Sequence, residues 1–145
     1  MLYDIDFDTL KPVPGFENYF ASQNGDVYKI KYKIHGDPVI NKLRPAILKN
    51  GYVQFKLFDE NGNQHGFYQH RIIAMLFIEN PLEKKCVNHK DGDRSHNNID
   101  NLEWCTYTEN NRHMQLMRKI KNASSETEKE FYINQLEKGM YLQAA

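Results

Sequence analysis

The side chains best able to do chemistry lie close together in residues 86–113, CVNHKDGDRSHNNIDNLEWCTYTENNRH. His89 ends a short apolar run, and an Asp-Gly turn follows it, because both residue types tolerate the backbone of a sharp reversal. Leu102–Cys105 is typical of a second short strand, after which Thr106 or Thr108 can N-cap a helix. This stretch therefore predicts strand, loop, strand and helix.

Three polar residues of this stretch are candidates for a base and for metal ligands. Asn110 and His113 are three positions apart and share a face of the predicted helix, while His89 ends the facing strand. Imidazole and amide oxygen can bind a divalent ion, and an ion beside a phosphodiester polarises it for attack by water. The loop amides are instead predicted to satisfy backbone groups: Asn97, Asn98 and Asn101.

The order and spacing of these residues resemble the ββα-metal core of HNH endonucleases, in particular their homing-endonuclease branch. The pattern of that branch is close to D/N-H-x-D-G-x-x-x-N-N-x-x-x-N-L-x-W-x-T-x-x-E-N. The matching residues are Asn88, His89, Asp91, Gly92, Asn97, Asn101, Leu102, Trp104, Thr106, Glu109 and Asn110. His96 departs from the pattern, since it stands where the first asparagine of the loop pair is usual.

The resemblance implies a role for each polar residue of the core. His89 takes the place of the general base that deprotonates water, a role that suits imidazole. Asn110 takes the place of the helix ligand of a single Mg²⁺, for which Mn²⁺ can substitute. Asn88 stands where some relatives have Asp, so it supplies an amide oxygen without charge. Asn101 is the middle asparagine that ties the loop and keeps the base oriented, and His113 is placed for a further ligand or a phosphate contact.

The first part of the chain alternates in the manner of β-strands. Asn24-Gly25 within residues 10–34 is a strong hairpin signal. This segment is similar to the small N-terminal module that precedes HNH cores in homing endonucleases, with the pattern P-V-x-G-F/Y-E-x-Y-x-x-S-x-x-G-x-V. The matching residues are Pro12, Val13, Gly15, Phe16, Glu17, Tyr19, Ser22, Gly25 and Val27. Asp26 replaces an arginine common in relatives, which predicts one weaker phosphate contact.

Further strands are expected at residues 43–49, 51–58 and 66–68, and together they predict a small antiparallel sheet. Residues 70–81, HRIIAMLFIENP, then place apolar side chains at helical spacing, and Pro81 marks the expected end of this helix. The run resembles the family helix H-R-I/L-I/V-A-x-x-F-I-x-N-P. His70 at its start is predicted either to meet a phosphate or the active site, or to cap and pack the helix.

Charge is distributed unevenly along the chain. The net charge is zero, from 19 basic and 19 acidic residues, so the distribution matters more than the sum. Between residues 29 and 49 the basic side chains outnumber a single acid, Asp37. Beside an HNH core, such a segment is interpreted as a surface for the phosphates of double-stranded DNA. The predicted DNA-binding residues are Lys29, Lys31, Lys33, Arg44, His70, Arg71 and Arg118.

Composition excludes several classes of protein. A hydrophobic content of 40% supports a modest core, and no apolar run is long enough for a membrane span. Two cysteines are too few for a disulfide framework, which is typical of a reducing cytosol. A structural zinc set remains as an alternative, although its second pair is spaced unlike common zinc modules. Its four candidate ligands are Cys86, His89, Cys105 and His113.

The resemblance stops at Met114. Residues 117–121, MRKIK, predict a basic extension of the core helix, and residues 122–125 break it. Ser125 can cap a second helix that runs to Tyr141, with Glu128 completing a capping box. The apolar side of this helix is predicted either to pack within the chain or to form a homodimer contact.

The expected fold is therefore α+β, with a small antiparallel sheet, a ββα-metal core and a C-terminal helix. The expected divisions are a DNA-contacting module at 1–69, the core with its preceding helix at 70–114 and a helical extension at 115–145. The resemblance implies a metal-dependent, DNA-nicking endonuclease of phage or mobile-element type that acts in the cytoplasm of a host cell. The alternative is an inactive HNH-fold protein that binds DNA or regulates.

Overall fold

The computed structural model describes residues 5–142, so residues 1–4 and 143–145 lie outside the described part of the chain. The first sheet is antiparallel, with its strands in chain order. It comprises β1 (Lys11–Pro12), β2 (Tyr19–Ala21), β3 (Val27–Lys31) and β4 (Val39–Lys42). The predicted hairpin is present between β2 and β3, where Gly25 has a φ of 91° that suits glycine.

A second antiparallel sheet follows instead of a continuation of the first. It comprises β5 (Ala46–Ile47), β6 (Val53–Phe58) and β7 (Gln64–Tyr68). The strand expected at residues 43–49 is wrong in its bounds, because β4 ends before it and only two of its residues form β5. Pro45 lies between the two strands and has no N–H for a ladder hydrogen bond. The expected single sheet is therefore divided in two at this proline.

The main apolar core joins the two sheets to the first helix, α1 (Gln69–Phe77). Its buried members are Val13, Tyr19, Ala21, Val27, Phe55, Leu57 and Ile72. The helix ends at Phe77, four residues before Pro81, and Ile78 already has an extended backbone. Asn80 cannot easily be helical, since it precedes a proline, and its side chain bonds both backbone groups of Lys84.

Leu57 offers a test of this core, because its side chain is fully buried (0% exposed). We expect Leu57→Ala to lower the free energy of unfolding by about 2–5 kcal/mol, through lost burial and the cavity left behind. The measurement is urea denaturation followed by circular dichroism. Phe58→Ala is the matched control, since the Phe58 side chain is 46% exposed and should cost less. Equal losses in the two variants would contradict this packing.

The second half of the chain forms the expected strand, loop, strand and helix. β8 (Cys86–His89) and β9 (Leu102–Cys105) are antiparallel, with Asn88 opposite Glu103 in the register. α2 (Tyr107–Lys121) follows, and its N-cap is Thr106 rather than Thr108. Thr106 and Glu109 form a full capping box, which fixes where the helix begins.

The C-terminal helix, α3 (Glu126–Glu137), is shorter than expected and does not reach Tyr141. Gly139 has a φ of 64° and is followed by a 3-10 turn at Met140–Leu142, so the chain reverses before Tyr141. Ser125 caps the helix, but the Glu128 carboxylate bonds Ser124 instead, so the expected capping box is wrong. α3 packs against α2 of its own chain. Within residues 5–142, no helix combines the length and apolarity needed to cross a membrane.

Candidate active site

A cleft of about 300 Å³ opens between β8, the loop after it and α2. It brings together four residues predicted from the sequence, Asn88 and His89 from the strand and Asn110 and His113 from the helix. The remaining lining residues are Tyr52, Val87, Asp91, Gly92, Arg94, Met114 and Met117. The candidate base and the candidate metal ligands therefore share one cleft.

His89 is held at the end of β8 with only 5% of its surface exposed. Its Nε2 atom lies 2.6 Å from Oδ1 of Asn97. Burial lowers the pKa of His89 below its ordinary value of 6.5, and the hydrogen bond to Asn97 opposes that effect in part. The imidazole is therefore neutral at neutral pH, which is the form that can accept a proton.

The rings of His70 and Tyr52 pack against the ring of His89. The ring of His70 lies 4.9 Å from that of His89 and stacks on Tyr52 at 5.2 Å, with 24° between the planes. The guanidinium of Arg94 lies over the Tyr52 ring, 4.7 Å from its centre. His70 is 6% exposed, so it packs against the candidate base and not on the outer surface. Its Nδ1 has no hydrogen-bond partner among the described residues.

Burial of His70 predicts a measurable pH dependence of stability. Its pKa is lowered from 6.5 to about 4, first by burial and then by the charges of His89 and Arg71. Between these two pKa values the folded protein binds fewer protons than the unfolded chain. The contribution of His70 to stability is therefore full above about pH 6.5 and is lost as the pH drops toward 4. The loss amounts to up to about 3 kcal/mol.

The check is urea denaturation of the protein and of His70→Gln at about pH 7 and about pH 4.5, where the effect is large while most carboxylates stay ionised. The variant should lose less stability on acidification. His35→Gln is the control, because His35 is exposed. If stability depended on pH as strongly in His70→Gln as in the parent, the low pKa assigned to His70 would be contradicted. His89 is present in every variant and adds a pH dependence of the same sign to all of them.

The loop between β8 and β9 is tied by side chains. Asn101 accepts a hydrogen bond from the Asp91 backbone N–H and donates to the Asp91 carboxylate and to the His96 carbonyl. Nδ1 of His96, an exposed residue, lies 2.6 Å from the second Asp91 carboxylate oxygen. The departure from the family pattern therefore adds a loop contact. Asn101 contacts the loop and does not line the cleft, and its hydrogen bonds hold the turn that follows His89.

The Asn88 amide has a defined orientation. Its Nδ2 donates to Glu103 Oε1 at 2.8 Å, and the Tyr141 hydroxyl donates to the same oxygen. The Oδ1 atom of Asn88 takes no part in the hydrogen bond with Glu103. Because the amide nitrogen is bound to Glu103, Oδ1 is the atom of this amide that could contact a cation.

His113 is less free than the sequence suggested. Its Nε2 lies 2.9 Å from the Lys90 carbonyl, and its ring contacts Tyr141 edge to face. The backbone carbonyl therefore occupies one ring nitrogen, which leaves only Nδ1 for an ion or a phosphate.

The structural zinc alternative is wrong. No group of three or more His, Cys, Asp or Glu side chains in the part of the chain described, residues 5–142, is arranged to hold a metal ion.

The residues predicted to bind DNA occupy different environments. Lys31, Lys33, Arg44 and Arg118 are exposed. Lys29 is half-buried over the Tyr19 ring, and Arg71 lies over Trp104 and donates to the Lys85 carbonyl. Asp26 stands where relatives commonly have arginine. Its Oδ1 atom lies 3.5 Å from Nζ of Lys42, so this ion pair partly neutralises the lysine charge.

Five residues around the cleft were missed in the sequence: Tyr52, Gln69, Arg94, Glu103 and Tyr141. Glu103 could have been found, because the predicted pairing of two short strands sets it opposite Asn88. Tyr52 and Tyr141 come from elements distant in sequence, and no local pattern marks them.

The family described as HNH endonuclease matches residues 67–112. An uncharacterised HNH endonuclease of Acanthamoeba polyphaga mimivirus is 34% identical over 99 residues, which are 68% of this chain and 28% of that protein. DNA endonuclease I-HmuI of Bacillus phage SP01 is 35% identical over 97 residues, which are 66% of this chain and 51% of that protein. This chain thus spans about a quarter to about half of these relatives.

A solved structure described as DNA binding and cleavage by the HNH homing endonuclease I-HmuI aligns with a TM-score of 0.59 at 28% identity. The alignment covers 89% of this chain and 67% of that one. It confirms the expected α+β fold, and the family match confirms the resemblance inferred from the motif. The chain therefore carries an HNH endonuclease domain of the type found in phage homing endonucleases.

Proposed function

We propose that this protein is a metal-dependent DNA endonuclease that hydrolyses phosphodiester bonds. The observation that carries the proposal is the cleft that His89, Asn88 and Asn110 line together. Relatives named for DNA cleavage supply the substrate class. We propose the cytoplasm of a host cell as its place of action.

His89 acts as the general base in this proposal. A neutral imidazole beside the cleft takes a proton from water, and the water oxygen attacks the phosphorus in line with the leaving 3′ oxygen. Burial keeps the imidazole neutral in the resting protein, and the hydrogen bond to Asn97 stabilises the imidazolium that forms. The Arg94 guanidinium lines the cleft and donates from Nη1 to the Asn50 carbonyl, which leaves its other N–H groups for a nearby phosphate oxygen.

Asn88 and Asn110 are the proposed ligands of one Mg²⁺, with Mn²⁺ as a substitute. The donor set fits a hard cation, because the Glu103 contact leaves the Asn88 amide oxygen uncommitted. Neither amide carries charge, so phosphate oxygens of the bound DNA would be needed to complete the coordination of the ion. When bound, the ion supplies stabilisation of the negative charge that develops on the phosphate and the leaving oxygen.

One core contains one such cleft, so a single molecule is expected to cut one strand. The exposed cations Lys31, Lys33, Arg44 and Arg118 are proposed to contact the phosphates of double-stranded DNA. A homodimer through α3 stays a prediction, and the packing of α3 on α2 supplies an intramolecular partner for that helix.

The test is incubation of supercoiled plasmid with the purified full chain, in Mg²⁺, in Mn²⁺ and in EDTA. Open circles that form with either metal and not with EDTA are the expected result. Linear product from the outset would overturn the single-strand part of the proposal. DNA binding that is indifferent to Mg²⁺, with no product at any protein excess, would favour the inactive DNA-binding alternative, to which the uncharged Asn88 gives some weight.

A further inference from the structure

Three hydrogen bonds in series connect the N-terminal hairpin to the candidate base. The Gln69 side chain donates from Nε2 to the Gly25 carbonyl at 2.7 Å. Asn97 donates from Nδ2 to the Gln69 Oε1 atom, also at 2.7 Å. The Oδ1 atom of Asn97 then lies 2.6 Å from Nε2 of His89. We call these connected groups the relay.

The relay has a direction that its first member imposes. A backbone carbonyl can only accept, so the Gln69 amide must present its NH₂ group to Gly25 and its oxygen to Asn97. Asn97 must then present its NH₂ group to Gln69, which leaves its oxygen facing His89. An amide oxygen also only accepts, so the hydrogen of the neutral His89 ring lies on Nε2. The lone pair is consequently on Nδ1.

Features at both ends of the relay favour its hydrogen bonds. A Cβ atom at position 25 would lie 2.5 Å from the Gln69 Nε2 atom, so only glycine lets this amide reach the carbonyl. The same glycine has a φ of 91°, which the hairpin turn requires. At the other end Asn97 is 5% exposed, so little water can compete for its hydrogen bonds.

We propose that Gln69 and Asn97 are positioning residues that fix the tautomer of His89, and that the N-terminal hairpin sets this tautomer through the Gly25 carbonyl. The inference deepens the proposed function, on which it rests, since a lone pair on Nδ1 is what a base in the cleft needs. The module before the core then does more than contact DNA. It determines which nitrogen of His89 can accept a proton.

Nitrogen NMR of the full chain tests the proposal without DNA or metal, at a pH where the imidazole is neutral. The unmodified protein should show the hydrogen of His89 on Nε2 alone. A hydrogen on Nδ1, or a mixture of tautomers, would overturn the proposal directly, and this result does not depend on the folding of any variant.

Gln69→Met removes both hydrogen bonds of Gln69 at nearly constant shape. Asn97 is then free to turn its amide, so we expect a mixture of His89 tautomers and a nicking rate lower by about ten- to a hundredfold. Gln23→Met is the matched control, since Gln23 lies in the N-terminal hairpin that Gln69 contacts and its side chain is exposed. It should change neither the tautomer nor the rate.

The double variant Gln69→Met with Asn97→Asp separates positioning from packing. A carboxylate accepts with either oxygen, so it should return the hydrogen to Nε2 without help from Gln69. Recovery of the single tautomer supports the proposal, and a persisting mixture in a folded double variant contradicts it. If the expected tautomers are seen but no variant cuts plasmid, the proposed function fails while the relay stands. If plasmid is cut and Gln69→Met has no effect on the tautomer, the relay fails alone.

Discussion

Replacement of His89 by alanine is expected to reduce plasmid nicking by about 10²- to 10⁴-fold, the range typical of a general base. The methyl group cannot take a proton from water, while the rest of the cleft stays in place. The rate of conversion of supercoiled to open-circular plasmid in Mg²⁺ is the measurement. His35→Ala, carried through the same purification, is the control, because His35 is exposed and lies outside the cleft.

If His89→Ala nicked plasmid at the rate of the parent, the proposed role of His89 as general base would be contradicted. The variant must first be shown to be folded, since His89 also contacts His70 and Asn97. Thermal unfolding followed by circular dichroism provides that check. A folded, inactive variant that still binds DNA separates the chemical role of His89 from a role in binding.

Asn110→Ala is expected to lower the nicking rate by at least about a hundredfold at limiting Mg²⁺, because it removes one of two proposed protein ligands of the ion. Part of the loss should be recovered at high Mg²⁺, since a weaker site can still be filled by mass action. The measurement is the nicking rate against the Mg²⁺ concentration. An unchanged half-saturating concentration would contradict a ligand role for Asn110.

Asn111→Ala is the matched control for this series. Asn111 is the adjacent residue of α2 and is exposed, whereas Asn110 lines the cleft. The two substitutions have the same effect on helix propensity, so only a difference in position separates them. The control should retain the parent's response to Mg²⁺.

The core of the site was predictable because its contacts are local. Thr106 caps α2 through Glu109 three residues on, and Asn101 ties a loop whose members lie within ten residues. Hydrogen bonds of this range follow from residue type and spacing. The predicted order of strand, loop, strand and helix, and the position of His89 at the end of its strand, are therefore confirmed.

The relay was not predictable, because its members come from three separate parts of the chain. Gln69 and Asn97 are 28 residues apart, and Gln69 and Gly25 are 44 apart. Each of these residues has an ordinary local interpretation, as a turn glycine, a helix residue or a loop amide. Only the packing of α1 between the hairpin and the core gives them a joint role.

The boundaries that failed were decided by single residues whose effect depends on their neighbours. Pro45 divides what alternation alone presents as a continuous strand, and Gly139 ends the last helix although apolar residues continue at helical spacing. In both cases apolar periodicity extended the element too far. The backbone constraints of Pro45 and Gly139 ended the strand and the helix before the apolar pattern did.

The contact of Tyr141 with Glu103 ties the cleft to a residue that comes after the last helix. The residues that line the cleft end at Met117, whereas Tyr141 follows α3, and its hydroxyl donates to the Glu103 oxygen that holds the Asn88 amide. A chain shortened to end before Tyr141 would therefore keep every lining residue of the cleft and lose a contact that holds Glu103 beside Asn88.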